Sequence, residues 1–298
     1  MGVVALFVFL LLHLSPGDPA TVIAGDYASP EDIARIRAQL GLDRPLYIQF
    51  TTWIGQLGHG DLGVSIFSNL PVSQLIMQRI EPTLSLAFFT LTIAIVVAVP
   101  VGVLAAWKAG SWIDRGVMAF SVLGFSTPVF VLGYALIYFF SLKLNFFPVQ
   151  GYTSISVGLW PFLHRLILPS VTLSVIFIAL FARITRASVM EILEEDYIRT
   201  ARAKGLSNRT VLMRHALRNA AVPIITVIGI GFALLIGGVV VTESVFNIPG
   251  LGRLTVDAVL RRDYPVIQGI ILVFSATYVL VNLVIDILYV ALDPRIRY

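Results

Sequence analysis

Five long apolar stretches without a single charged residue dominate the sequence. They run over 82–107, 116–142, 166–182, 219–242 and 264–285 and contain between 17 and 27 residues each. A helix needs about 20 apolar residues, with a usual range of about 17–25, to cross a hydrocarbon layer of ~30 Å. Each stretch therefore predicts a membrane-spanning helix, and the third stretch lies at the lower limit of length.

A sixth apolar run opens the chain, from Gly2 to Leu12, and is followed by a polar, proline-containing segment at 15–19. A helix over 1–14 would be ~21 Å long at 1.5 Å per residue. A signal peptide has a similar length, but no basic segment precedes the run and no small-x-small cleavage site follows it. We therefore expect a first membrane helix whose beginning is missing from this chain. The predicted spans are about 1–14, 83–107, 116–142, 166–182, 220–242 and 265–290.

The loops that alternate between these spans differ in their density of lysine and arginine. One set holds 12 such residues in 54 positions and the other holds 9 in 113. Short loops rich in lysine and arginine stay on the cytoplasmic side, so we predict the first set and both termini inside the cell. The first set comprises 108–116, 183–219 and 291–298, and the second comprises 15–82, 143–165 and 243–264.

The segment 15–82, which this orientation places outside, contains a predicted amphipathic helix over 30–41. Ser29 can cap its beginning, Pro30 suits the first helical position, and Gly41 suits the stop. We find no internal repeat and no flexible linker in the sequence. The pattern therefore predicts one all-helical, polytopic membrane domain over 1–298, located in the plasma or inner membrane.

Composition and charge narrow the class further. The chain is 57% apolar and 13% charged, with a mean hydropathy of +0.89, against roughly 45–50% and about 25% for a soluble domain. Its net charge of +4 could indicate a nucleic-acid partner, but the cations flank the spans, so we expect no nucleic acid. The absence of cysteine excludes thiol catalysis, and no histidine pair has ligand spacing, so we expect no metal site.

The segment 183–219 is too long and too patterned for a simple connector. Ser188 to Lys204 predicts one helix, with acidic residues toward its beginning and basic residues toward its end, as the helix dipole favours. Gly205 suits a left-handed stop, and Ser207 can cap a second helix that continues through Asn219. The expected structure is a helical hairpin on the cytoplasmic side.

The first helix of this hairpin carries an apolar stripe that some surface must cover. The stripe can pack against the protein's own spans or the lipid interface, or it can dock into a groove of a partner. Spacing alone leaves these alternatives open. The stripe consists of Val189, Ile192, Leu193, Tyr197 and Ala201.

The residues of this segment carry a resemblance to a known family. The sequence DYIRTARAKGLS at 196–207, continuing through HALRNA at 215–220, closely resembles the cytoplasmic EAA loop of ABC-importer permeases. Further stretches are similar to the first, B-type, permease subunit of the dipeptide/oligopeptide family, and together they cover almost the whole chain. These stretches lie at 14–19, 40–43, 60–63, 243–246, 249–254 and 292–297.

The resemblance implies one half of a transmembrane pore, paired with a homologous second permease. It also implies two cytoplasmic ATPase subunits that hold ATP and magnesium, and an external peptide-binding protein. Relatives carry dipeptides, oligopeptides, glutathione or nickel complexes, so the cargo stays open. The hairpin residues expected to couple to the ATPase are Glu195, Asp196, Tyr197, Arg199, Ala201, Arg202, Lys204, Gly205 and Leu206.

The lysines support this division of labour independently of the resemblance. A phosphate-binding Walker A loop requires a Gly-Lys pair. The three lysines, Lys108, Lys143 and Lys204, all follow residues other than glycine. We therefore expect no nucleotide site, no cofactor and no enzymatic activity in this chain.

Polar residues inside the predicted spans are candidates for the translocation path: Ser126, Thr127, Thr226 and Asn282. Small hydroxyl side chains can equally bond to their own helix, so both interpretations stay open. Asp286 differs, because a carboxylate inside an apolar run needs a partner. We expect it to pair with Arg183 or Arg186, or to take part in gating.

Two other classes of protein deserve comparison. An ion-coupled secondary transporter or channel needs paired intramembrane charges and broken helices. Asp286 is the only charged residue that qualifies, and it has no charged partner within a predicted span. An intramembrane protease is less expected still. The GHGD sequence at 58–61 lies in a loop without a second intramembrane aspartate, and Ser126 has no histidine base within a span.

Overall fold

The computed structural model describes residues 2–14, 19–24, 28–39 and 41–292. Within these residues the chain is helical, and its only β-type pairing is an isolated bridge between Val64 and Pro71. Its contacts divide the chain into two compact units, 1–81 with 249–277 and 82–248 with 278–298. The expected single domain over 1–298 stays a prediction.

Within the described residues, the first unit contains seven helices or parts of helices. They are α1 (Gly2–Leu14), α2 (Pro19–Ala24), α3 (Pro30–Gln39), α4 (Leu46–Gly58), the beginning of α5 (Val72–Trp107), α12 (Leu251–Arg261) and the beginning of α13 (Tyr264–Leu292). The core of this unit joins α12 to the first turns of α5 and α13 through Val72, Leu254 and Ile270. Helix α12 and the start of α5 at Val72 were not predicted.

The amphipathic helix predicted at 30–41 is confirmed as α3. The Asp32 backbone N–H donates to the Ser29 hydroxyl at 3.2 Å, and Gly41 has a left-handed φ of +65° after the last turn. The Ser29 hydroxyl also donates to the Asp32 carboxylate, and together with Arg35 it lowers the pKa of that carboxyl from its ordinary value. The cap therefore forms as the sequence indicates.

The second unit contains the remaining helices. After most of α5 come α6 (Trp112–Ser126), α7 (Val129–Leu136) with a π-helical extension (Ile137–Lys143), a short turn (Ile155–Val157), and α8 (Leu159–Leu193). Helix α9 (Asp196–Ala203) and the helical segment 208–219, here α10, precede α11 (Ala221–Val245).

Four of the predicted spans correspond to single long apolar helices and the third to a bent pair of helices, which confirms the fold class. Helices α5, α8, α11 and the Tyr264–Val290 part of α13 are each long and apolar enough to cross a membrane. Helix α1 has 13 residues, which is ~20 Å. The predicted limits of 166–182 were too narrow, because α8 continues through Arg165, Arg183 and Arg186 to a length of 35 residues.

The third span differs from the expected straight helix. The chain bends by 102° between α6 and the following helical segment, which consists of α7 and its π-helical extension to Lys143. Pro128 explains the break. Proline has no backbone N–H to donate to the preceding helical turn, and it disfavours a helical backbone conformation at the residue before it, which is Thr127. Thr127 accordingly has an extended backbone, with ψ of 121°.

Helix α8 is the central helix of the second unit. Leu166, Leu173 and Phe181 along it are fully buried. Glycines allow neighbouring helices to approach it closely: a Cβ added to Gly102 of α5 would lie 2.7 Å from the Ala182 carbonyl oxygen, and one added to Gly231 of α11 would lie 2.5 Å from the Phe181 ring. The unit is therefore held by close helix contacts along α8.

Candidate coupling site and family membership

The hairpin expected at 183–219 is present, but its first arm is not one helix. Helix α8 ends at Leu193, and α9 begins at Asp196 after an extended Glu195 with ψ of 146°. The predicted helix Ser188–Lys204 is therefore wrong. Its first six residues belong to the long helix α8, and the break at Glu194–Glu195 lets α9 take a direction of its own.

The turn between the two arms forms as the sequence predicts. Gly205 has a φ of +79°, its N–H donates to the Arg202 carbonyl at 3.0 Å, and the Leu206 N–H donates to the Ala201 carbonyl at 3.3 Å. These bonds satisfy carbonyls at the end of α9. The Ser207 hydroxyl then accepts from the Thr210 N–H at 3.4 Å and caps α10.

The two arms pack against each other through a small apolar core. Ile198 is 0% exposed and Val211 1%, and Ala201 lies between them with Ile192 and Leu193 at the edge. The Asn219 amide donates to the Tyr197 hydroxyl at 2.9 Å and joins the ends of the arms. The apolar stripe is thus covered mainly within the protein, and Ile198, the most deeply buried residue of α9, lies outside the predicted stripe.

The hairpin rests on the ends of three long helices. One apolar cluster joins α10 to α5, α8 and α11. Its buried members are Val103, Ala106, Val189, Leu212, Ala216, Ala220 and Ile224. Because core contacts are close-packed, a force applied to the hairpin reaches all three helices.

The outer face of the hairpin is polar and exposed. Glu195, Asp196, Arg199, Arg202 and Lys204 are all exposed, and the Arg199 guanidinium lies 3.1 Å from the Asp196 carboxylate. Two apolar side chains of the hairpin are also exposed: Leu206 at the turn, with 38% exposure, and Tyr197 near the start of α9, with 41%. Of the nine predicted coupling residues, Ala201 alone has a buried side chain, so it supports the hairpin from inside.

A charged pair fixes the start of α6 to α8 near the hairpin. Arg186 binds Asp114 through both carboxylate oxygens, with Nη2 at 2.8 Å from Oδ2. The Gly110 N–H donates to the same Oδ2 at 2.9 Å, and the Asp114 side chain is 5% exposed. The local sequence does not indicate this pair, because the two residues are 72 positions apart.

The expected pairing of Asp286 with Arg186 is therefore wrong, because Arg186 binds Asp114 instead. Asp286 is exposed on α13, and it forms no ion pair with any residue that the structure describes. A buried acid lies elsewhere: Glu243 of α11 is 0% exposed and accepts from the Thr83 hydroxyl at 2.6 Å. The sequence signal for it was a carboxylate directly after the apolar window 219–242.

The four candidate path residues bond mostly to their own helices. The Thr127 hydroxyl donates to the Leu123 carbonyl at 2.7 Å, the Thr226 hydroxyl to Val222 at 2.8 Å, and the Asn282 amide to Tyr278 at 2.9 Å. Ser126 is exposed at the break between α6 and α7. Of these four residues, Thr226 has a hydrogen bond with another span, since the Tyr289 hydroxyl of α13 donates to it at 2.8 Å.

A bundle of apolar helices that supports an exposed helical hairpin defines a polytopic membrane protein with a docking element. Comparison with known families identifies its class. Residues 98–298 match the family described as binding-protein-dependent transport system inner membrane component, and residues 1–87 match its N-terminal component. The chain belongs to this family. It is a permease subunit of an ABC importer, and it is a multi-pass protein of the inner membrane.

Relatives of known type agree over the full length. The chain is 55% identical, over 298 residues, to a probable peptide ABC transporter permease protein, y4tP, of Sinorhizobium fredii, covering 100% of this chain and 95% of the relative. It is 47% identical over 296 residues to the glutathione transport system permease protein GsiC of Escherichia coli, covering 99% and 94%. These similarities favour the importer over the ion-coupled transporter and the protease.

A solved structure shows the same fold. The methionine ABC transporter MetNI, in an inward-facing conformation, contains a chain that matches 74% of this chain and 97% of its own length. The TM-score is 0.62 at 20% sequence identity. At this identity the likeness establishes the fold alone.

Proposed function

We propose that this permease moves short peptides into the cell as one half of a pore, with a homologous second permease forming the other half. The relatives named as peptide and glutathione permeases, which match nearly the full chain, support this cargo class. An external peptide-binding protein delivers the cargo. Ser126, Thr127, Thr226 and Asn282 border the path in this proposal.

The hairpin α9–α10 is the proposed contact with the cytoplasmic ATPases. Both termini and the hairpin then lie in the cytoplasm, as the density of lysine and arginine predicts. The observation that carries the proposal is an exposed hairpin on a closely packed base: Leu206 is exposed at the turn and Tyr197 near the start of α9, while Ile198 is buried in the apolar core between the arms. The ATP and magnesium belong to the ATPases, and this chain supplies the mechanical connection.

Transmission follows from the packing at the base of the hairpin. Closure of the ATPase pair displaces the hairpin, and its close contacts with α5, α8 and α11 move these helices together. The Asp114–Arg186 pair extends the moving body to the start of α6. A rigid hairpin is necessary here, because a loose one would absorb the displacement.

Reconstitution in proteoliposomes tests the proposal. The chain, the second permease and the ATPases are inserted together, and uptake of a labelled dipeptide and tripeptide is measured with the binding protein present. Uptake is expected only with ATP and all subunits. Uptake by this chain alone, or uptake that follows a proton or sodium gradient without ATP, would contradict the proposal.

A further inference from the structure

Three polar side chains form a ridge along the second half of α13, where the other residues apart from Tyr289 are apolar. Tyr278, Asn282 and Asp286 follow one another at intervals of four residues. Side chains at this spacing are neighbours on one helix face, with Cβ atoms about 5–6 Å apart. Tyr278 and Asp286 are exposed and Asn282 is partly exposed, so the ridge is open along its length.

The ridge lies inside the membrane span, close to its hairpin side. The Tyr289 hydroxyl donates to Thr226, which places Tyr289 level with the sixth residue of α11, the helix that begins directly after the hairpin. Thr226 is thus ~8 Å from the start of α11, and Asp286, three residues before Tyr289, lies ~4.5 Å deeper. Asp286 is therefore ~12 Å inside the bundle end that carries the hairpin.

The hydrogen bond of the Asn282 side chain determines which of its atoms is free to accept another bond. Its amide nitrogen donates to the Tyr278 carbonyl at 2.9 Å, so its Oδ1 is the atom that remains to accept. The Asp286 carboxylate, one turn further on, accepts only. Two acceptor groups, one of them negatively charged, are thus open on the ridge, beside the second N–H of the Asn282 amide.

A carboxylate exposed at this depth needs water or a cation beside it. Among the described residues, no basic side chain lies within ion-pair distance of Asp286, and Arg186 is bound to Asp114. We propose that Asp286 and Asn282 form a cation-binding site on the hairpin side of the translocation path, which receives the primary ammonium group of the cargo. A primary ammonium has three N–H donors, which match the carboxylate and the amide oxygen.

This site rests on the proposed function for its place in the path, and it adds a specific role. The ammonium of a peptide, neutralised by Asp286, can cross the hydrocarbon region without carrying an unpaired charge. Tyr278 lies one turn before Asn282 on the same face of α13 and is exposed.

The lack of cysteine in the chain makes a direct test possible. Asn282→Cys is made in the assembled transporter, and inside-out membrane vesicles are treated with aminoethyl or sulfonatoethyl methanethiosulfonate. The reaction rate of each reagent with the introduced cysteine is divided by its rate with a small thiol in solution. The cationic reagent is a primary ammonium itself, and we expect it to react ~10-fold faster or more, because a unit charge a few ångströms away attracts one reagent and repels the other.

Two further variants separate the site from general accessibility. Asp286→Asn in the Asn282→Cys background should abolish the preference, and Asp286→Glu should keep most of it. Leu283→Cys, on the neighbouring apolar face, should react slowly with both reagents. A dipeptide with a free amino terminus should slow labelling of Asn282→Cys more than its N-acetylated form.

Several results would overturn the inference. They are an unreactive Asn282→Cys, equal normalised rates for the two reagents, and a preference that survives Asp286→Asn. An unreactive or neutral site would mean that a cation of the second permease already pairs with Asp286. Peptide uptake by the unmodified vesicles is measured in parallel: a charge preference without peptide uptake would refute the peptide cargo and leave the cation site standing.

Discussion

At the scale of single residues, the coupling hairpin depends on one backbone conformation. Gly205 adopts a left-handed φ of +79°, and nothing lies within 4 Å of the position where a Cβ would stand. Strain in the turn is therefore the only direct effect of a larger side chain there. A substitution at Gly205 therefore tests the backbone conformation of the turn without disturbing side-chain packing.

Replacing Gly205 by valine should weaken the turn by about 1–2 kcal/mol, because β-branched side chains disfavour the left-handed region. We expect ATP hydrolysis by the assembled transporter to continue while peptide uptake falls. Gly205→Asn is the matched control, since asparagine tolerates this region. The ratio of uptake to hydrolysis is measured for both variants. Normal uptake by Gly205→Val would show that the turn does not control coupling.

The Asp114–Arg186 pair is a second requirement at the residue scale. Asp114→Ala leaves the partly buried guanidinium of Arg186 without its partner, and we expect a loss of about 2 kcal/mol in the free energy of unfolding. The double variant with Arg186→Met should recover much of that loss, because it removes both charges. Arg115→Gln, an exposed neighbour, is the control. Unfolding in detergent by denaturant measures all of these, and an unaffected Asp114→Ala would contradict the assigned contact.

At the scale of helices, the sequence predicted where apolar helices occur better than where they end. Charged residues mark the edge of an apolar stretch, but Arg165, Arg183 and Arg186 lie inside α8. A run of apolar residues also does not indicate the direction of the helix axis. The bend after Ser126 was therefore not predicted, although Pro128 follows closely in the sequence. The turn at Gly205 was predicted well, because glycine and Ser207 determine it locally.

Helix packing gives a prediction at this scale. Gly102→Ala places a methyl group 2.7 Å from the Ala182 carbonyl oxygen. Helices α5 and α8 must then separate, and we expect a loss of about 1–3 kcal/mol. Gly237→Ala is the matched control in α11, since no atom lies within 4 Å of its added Cβ. Thermal unfolding of the purified protein is measured, and equal transition temperatures would contradict the described contact between α5 and α8.

At the scale of the whole molecule, contacts distant in sequence could not be predicted from local pattern. Thr83 and Glu243 are 160 positions apart, and Ser65 and Asp263 are 198 apart. Each bond satisfies a buried carboxylate within its own unit, so each depends on the folded topology. The functional class was still accessible, because the hairpin segment is continuous in sequence.

The proposed coupling function depends most directly on contact between the hairpin and the ATPase. Leu206→Cys at the tip and Val157→Cys, which is 70% exposed beyond the opposite end of α8, form a matched pair in a chain without other cysteines. The assembled transporter is treated with a short thiol-to-amine crosslinker, and the products are identified by mass spectrometry. The account predicts a covalent product between this chain and the ATPase from Leu206→Cys and none from Val157→Cys. An ATPase product from Val157→Cys, or its absence from Leu206→Cys, would contradict it.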